Sequence, residues 1–283
     1  MTKNYLRLGL LLFSSIFLLI SCGPPTGGGD ESVRCQPRGL IIETIGNGRA
    51  IVAYNPGCSG TRIMRGFNFY VSPRPLAKEY PGRDLPSSIQ PHNPEVYPGD
   101  PEGSARRETF EIKNVANATR YYVHMRAVYN DKSLSLPTNE IELVCYPQGE
   151  IELATSYSGD QAGFSFVKDN YCKSDALEND LYFYHKDGID YLCSPSRLSP
   201  VNRVSKIFMV AAGIVGDGLD KYKSVGSHYE RLKLKSDLRI IMETEDGYSV
   251  SLHIKRIEGE GKDRRVILEY LYKPPVKDIG SEV

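Results

Sequence analysis

The chain has 283 residues, 40% of them hydrophobic and 25% charged, an ordinary globular composition long enough for roughly two domains. Lys and Arg together number 35, as do Asp and Glu, so there is no basic footprint of the kind that nucleic-acid binding needs. Trp is absent while Tyr reaches 19, and many of the Tyr fall in alternating, strand-like runs.

Met1 to Arg7 carries two positive charges, Lys3 and Arg7, and Leu8 to Ile20 is a mostly apolar stretch without charge. These are the n-region and h-region of a secretory signal. The apolar run falls short of the roughly 20 residues that span a bilayer. It ends in Leu19-Ile20-Ser21-Cys22, which resembles the lipobox read by bacterial lipoprotein signal peptidase. The resemblance implies that 1–21 is a signal peptide cut before Cys22. It further implies a diacylglycerol on the Cys22 sulfur and an acyl chain of the palmitate kind on its amine, together enough for stable anchoring. Gly23 stands where Asp would signal inner-membrane retention in enteric bacteria. The expected location is therefore the bacterial cell envelope, lipid-anchored at the outer membrane. Without Lys3 and Arg7, the only charged residues before Cys22, basic residues fall two short of the acidic ones. Residues 22–34, rich in Gly and Pro, cannot pack a core and read as a flexible tether.

Residues 35–147 read as short strands with period-2 alternation. The runs are Gly39–Glu43, Ala50–Tyr54, Phe67–Ser72, Phe110–Ile112, Arg120–Tyr129 and Ile141–Val144. In Arg120–Tyr129, Tyr121, Val123, Met125 and Ala127 share one face and Tyr122, His124 and Arg126 the other. No helical period is evident, and the pattern is that of a β-sandwich.

Val115-Ala116-Asn117-Ala118-Thr119-Arg120-Tyr121 and Ser135-Leu136-Pro137-Thr138-Asn139 resemble the fibronectin type III segments that lead into strands F and G. The resemblance places Tyr121 as a corner tyrosine bonded back to nearby backbone. The chain departs from that family at Tyr54, where a core Trp is usual on strand B, and in a long insertion, 73–107, between strands C and E. Eight prolines in the insertion exclude a helix or central strand and leave an extended loop. It is either a partner-contact surface or a tolerated decoration.

A second alternating pattern fills 148–275. Glu150–Leu153, Gly163–Phe166, Asp180–His185, Leu238–Thr244, Tyr248–Ile254 and Arg265–Tyr272 read as strands, and Glu245-Asp246-Gly247 as a hairpin turn. Val201 to Ala212 fits a strand or a short helix. Residues 276–283 form a tail. The whole is a mainly all-β chain, a fibronectin type III-like sandwich followed by a second β-rich domain. Phe164-Ser165-Phe166, Asp180-Leu181-Tyr182-Phe183 and the run from Thr244 to Tyr248 are similar to a β-rich domain of exported lipoproteins, some of them haem carriers.

An exported chain meets oxidising conditions, where disulfides persist. Cys172 and Cys193 flank a strand and form the first candidate pair. The fibronectin-like arrangement implies that Cys35 and Cys58 share one pole and form the second. Cys145 is then left over, free or bonded between chains; alternatively it pairs with Cys172 or Cys193 and staples the domains.

No nucleophile elbow, zinc-protease helix or phosphate-binding loop is present. Gly213, Gly216 and Gly218 lack a following helical pattern and read as a plain loop. His92, His124, His185, His228 and His253 are isolated in sequence and read as solvated. Only His185 and His253, both on strands, could converge on a metal or haem. Asp187, Asp190, Asp217 and Asp220 miss calcium-loop spacing and read as turn carboxylates. The expectation is therefore a non-enzymatic, membrane-anchored lipoprotein without cofactor. It would bind a protein or an envelope or host component, or serve in structure or adhesion. The alternatives are a small-ligand carrier, for haem among others, using the second domain, and a hydrolase whose residues meet only in the fold.

Overall fold

Burying every second side chain satisfies the backbone ladder and the core together, so the alternating runs become antiparallel strands. The computed structural model describes residues 36–57, 64–99, 106–156, 159–198, 203–210 and 228–279. All of these fall within one compact unit, Cys35–Val283. The lipobox, the tether, Cys35, Cys58 and Gly213 to Asp220 lie outside the described residues. Among the described residues no helix is long and apolar enough to cross a membrane.

The first sandwich sets β1 (Arg38–Gly46), β2 (Arg49–Asn55) and β4 (Glu108–Ile112) against β3 (Met64–Ser72), β5 (Arg120–Tyr129) and β6 (Ile141–Val144). The sheet orders are β1-β2-β4 and β3-β5-β6, strands A, B and E facing C, F and G as in a fibronectin type III-like sandwich. Leu40, Val52, Phe69, Val123, Met125 and Leu143 meet in the core between them. Tyr54 occupies the centre, edge-on to Phe67 at 5.2 Å and to Phe69 at 5.6 Å. Its hydroxyl donates to Glu108 Oε2 at 2.7 Å, the partner a buried phenol needs. The Tyr121 hydroxyl accepts the Ala116 N–H at 3.4 Å, a corner tyrosine.

The insertion departs from the expected helix-free loop by a single helical turn, α1 (Leu76–Glu79), with Pro75 at its N-cap. A proline there forfeits only an N–H that the helix leaves unused. Farther along, Phe67 and Tyr97 exchange backbone hydrogen bonds of 2.7 and 2.9 Å. Asn93 takes the Phe69 N–H at 2.7 Å and donates to the Phe67 carbonyl at 3.1 Å. Gly66, at φ +144°, allows this approach, since a Cβ there would lie 2.2 Å from the Tyr97 carbonyl oxygen. The insertion thus covers the edge of β3, which would otherwise offer a pairing template.

The alternation of β5 holds, but its outer face is not solvated. His124 and Arg126 are both 0% exposed, because the insertion lies over them. Arg126 donates to the carbonyls of Tyr80 at 2.6 Å, Gly82 at 2.5 Å and Ser135 at 3.3 Å. His124 stacks on Tyr70 at 4.9 Å; burial, then the neighbouring Arg126 charge, push its pKa down to about 3.

The second sandwich is larger. One sheet runs β13-β11-β10-β8-β9 and the other β12-β14-β15-β16-β7. The strands are β7 (Gln148–Ala154), β8 (Gly163–Ser165), β9 (Asn170–Cys172), β10 (Leu181–Lys186), β11 (Ile189–Cys193), β12 (Lys206–Met209), β13 (Arg231–Lys233), β14 (Arg239–Glu243), β15 (Ser249–Glu258) and β16 (Arg265–Lys273). Within the ambiguous run from Val201 to Ala212, the described residues Lys206–Met209 form a strand, β12. Phe164, Phe166, Phe183, Met242, Leu252 and Tyr270 fill the interior. Bridges Ile207↔Tyr229 and Thr155↔Phe183 connect one sheet to the other.

The cysteines correct two expectations. Cys172, Gly163, Tyr182 and Cys193 form one row across β9, β8, β10 and β11. Cys172 and Cys193 are therefore three interstrand steps apart, about 14 Å, where a disulfide needs Cα atoms within about 7 Å. Cys145 is buried in the first core and its thiol donates to the Arg49 carbonyl at 3.3 Å, so it does not staple the domains. Burial pushes its pKa up to about 11 and that of Cys172 to about 12; both are structural thiols.

Candidate functional site

Among the described residues the two sandwiches are joined at the linker, at Gln148 and at the returning tail. Tyr146-Pro147 leads directly from β6 into β7. Gln148 Nε2 donates to the Ile45 carbonyl at 2.8 Å. The C-terminal tail returns to the first sandwich, where Lys277 donates to the Ala118 carbonyl at 2.7 Å and accepts from the Arg120 N–H at 3.0 Å. Arg120 Nε adds a 2.6 Å contact to Asp278. Between the junctions lies a groove of about 1290 Å³, with walls from both sandwiches.

Strand register builds its floor. On the outer face of the second sheet, Arg239, His253, Glu269 and Glu150 stand in one row across β14, β15, β16 and β7. The next row holds Ile241, Ser251, Leu271 and Gln148. A charged row thus runs beside a more apolar one. Phe208, Ile241 and Val210 extend the apolar side. The facing wall is the β1–β2 hairpin, with Ile45, Asn47, Arg49 and Ile51. Asn117 fixes that hairpin's turn by accepting the Gly48 N–H at 2.9 Å.

His253 is clamped, with Nε2 2.8 Å from Asp237 Oδ1 and Nδ1 3.3 Å from Glu269 Oε2. The hydrogen bond to His253 holds Asp237 below the usual carboxylate range. Lys255 first, then His253, do the same for Glu269. Both ring nitrogens face carboxylates, which fixes the ring and leaves neither to take a proton from a substrate. Ser251 Oγ is shielded and without a hydrogen-bond partner among the described residues. Charged and apolar rows side by side suit recognition of an extended amphipathic segment more than bond cleavage.

The other singled-out residues lie elsewhere. His185 and His253 do not converge: His185 is on β10 in the opposite sheet, its Nδ1 2.7 Å from Asp190 Oδ1. Asp190 is not a solvated turn carboxylate but a residue of β11 only 9% exposed. Arg264 grips it through Nε at 3.1 Å and Nη2 at 2.8 Å. Burial alone would raise the Asp190 pKa, but hydrogen bonds from Arg264 and His185 overcome that and lower it. A carboxylate lowered in the folded state contributes stability above its unfolded pKa of about 3.9, and that stability is lost as pH falls through the folded value. Arg264→Ala should therefore cost about 1–2 kcal/mol at pH 7, with the difference from wild type narrowing below about pH 4 in thermal melts. Asp187 sits in the β10–β11 turn at φ 52°. His92 donates its backbone N–H to the Phe69 carbonyl at 2.7 Å, and the His228 ring is 6.4 Å from Phe208. Among the described residues no three His, Cys, Asp or Glu are grouped to hold a metal.

No family model matches the chain, and no curated protein matches it. Solved structures give weak likenesses. "Myokine structure" has a TM-score of 0.26 and 14% identity, over 39% of this chain and 96% of that one. The Family 28 exopolygalacturonase of Yersinia enterocolitica has a TM-score of 0.25 and 13% identity, over 47% of this chain and 24% of that one. The chicken CNTN1 FN1-FN3 domains have a TM-score of 0.25 and 10% identity, over 85% of this chain and 66% of that one. At these TM-scores the likenesses carry no argument about what this chain does.

Proposed function

We propose that the chain is a lipid-anchored binding protein of the bacterial envelope. In this reading Cys22 holds it to the membrane and the groove between the sandwiches receives an extended segment of a protein or other envelope or host component. The observation that carries the reading is the groove, in which a charged row and an apolar row are set in register on one rigid sheet and faced by the β1–β2 hairpin. The lipobox-like Leu19-Ile20-Ser21-Cys22 and the Gly/Pro tether support the location.

Anchoring is tested by the intact mass of membrane-extracted protein beside a Cys22→Ala variant. The expected mass is that of the chain from Cys22 plus acyl groups, lost in the variant; an unlipidated mass in both would make the protein freely exported. The same samples report on Cys35 and Cys58. Their neighbours Gln36 and Gly57 touch, a Cβ on Gly57 falling 1.9 Å from the Gln36 carbonyl oxygen, which supports a Cys35–Cys58 disulfide. Alkylation of the denatured, unreduced chain should then label Cys145, Cys172 and Cys193 and spare that pair.

A further inference from the structure

The face of the β13-β11-β10 sheet turned away from the second core carries a different chemistry from the groove, and the argument for it does not depend on the groove. Register sets Tyr182, Cys193 and Arg231 in one row, Tyr184, Tyr191 and Lys233 in the next, and Lys186 opposite Ile189 in a third. The core-facing residues of these strands, Phe183, Leu192 and Leu232, have the opposite parity. The outer rows thus hold three cations and no carboxylate. Among the described residues none of the three cations has an acidic partner within 4.0 Å. Asp190 belongs to the other parity and is engaged by Arg264.

Arg231 is the centre of this face. Its guanidinium carbon lies 3.6 Å from the Tyr191 ring centroid and 5.0 Å from that of Tyr184. Its Nε is buried without a hydrogen-bond partner among the described residues. The tyrosines hold the guanidinium flat, so its rotamer entropy is already spent, and a planar fork of N–H donors suits a carboxylate or sulfate. Lys233 lies two residues along the same strand, about 7 Å away. Lys186 and Lys233 are both exposed at the rim. Tyr182 and Cys193 are covered, so the accessible charges run from half-buried Arg231 to exposed Lys233 and Lys186, and cations spaced in this way match a chain of repeated negative charges better than a single small anion.

We infer that this face binds an acidic polysaccharide, with Arg231 taking a carboxylate or sulfate end-on through its two Nη groups, since Nε is buried, and Lys233 and Lys186 meeting the flanking charges. Nucleic acid is disfavoured because sheet platforms that bind single strands need open aromatic faces for the bases. Here Arg231 occupies a face of Tyr191. An anionic bilayer is disfavoured because no exposed large apolar side chain stands in these three rows.

The test is calorimetric titration of the full-length chain in zwitterionic phospholipid nanodiscs with alginate oligosaccharide, with maltohexaose, a single-stranded DNA oligonucleotide and anionic phospholipid vesicles as comparators. Alginate should bind, weaken as salt rises, and bind at least tenfold more weakly to a Lys186→Ala/Lys233→Ala double variant. Both of those lysines are exposed, so this variant should melt like wild type. Arg231→Gln should weaken binding further. Three outcomes would overturn the inference: no alginate binding below millimolar, equal binding of the oligonucleotide or the vesicles, or alginate binding unchanged in the double variant. None of these bears on the groove or on lipidation at Cys22.

Discussion

Arg203→Ala is expected to destabilise the second sandwich by about 3–5 kcal/mol, because it strands a buried charge. Asp180 is 0% exposed. It takes the Phe166 N–H on Oδ2 at 2.8 Å and the Arg203 Nε on Oδ1 at 2.9 Å. Arg203 also reaches Asp246 at 2.5 Å, which ties the β14–β15 turn to the start of β10. Burial raises the Asp180 pKa despite Arg203, which pulls it the other way. A carboxylate raised in the folded state costs stability as pH climbs through its folded value. Removing Arg203 raises it further, so the loss should be largest at pH 7 and shrink toward pH 4. Urea titrations at both pH values check this; a loss independent of pH would show that Arg203 acts by packing alone. Asp180→Asn, which keeps an acceptor for the Phe166 N–H, should cost less.

Arg126→Met is expected to release the insertion. The guanidinium holds the Tyr80 and Gly82 carbonyls down onto β5, and methionine fills similar volume without donating. The half-buried Tyr80 carbonyl and the exposed Gly82 carbonyl then lose their protein donor to water, at about 1 kcal/mol each. Local opening should exceed global unfolding, because the first core between the sheets is untouched. Brief trypsin treatment reads this as new cleavage after Lys78 and Arg83, which wild type should resist. A variant that melts earlier with no new cleavage there would place the effect in the sheet instead of the insertion.

The strands were legible where alternation was long. Arg120–Tyr129 and the three closing strands stand out because five or more residues repeat with period 2. β9 and β13 have three residues each, too few to repeat, and exist because neighbouring strands supply the ladder. Sequence parity assigned His124 and Arg126 to the outer face of β5, and nothing local signals that a proline-rich loop folds back over them. The groove was legible in its parts only. Period 2 puts Ser251 beside His253, but bringing His253, Glu269 and Glu150 into one row requires the pairing of three strands. The disulfide expectation for Cys172 and Cys193 failed for the same reason, since nearness along the chain does not report how many strands intervene across a sheet. Its place just after Asp187-Gly188 makes Asp190 look like a turn residue in sequence; its partner Arg264 lies 74 residues away.

The returning tail bears on the order in which the chain acquires its structure. Arg120 and Asp278 are separated by 158 residues, and closing a loop of that size adds entropy cost and slows folding. Synthesis delivers the first sandwich long before Lys277, so its edge at Ala118 to Arg120 waits for the last residues of the described chain to be made. Truncation before Lys277 should therefore leave two folded sandwiches with freedom to pivot, and a bulky C-terminal fusion should have the same effect.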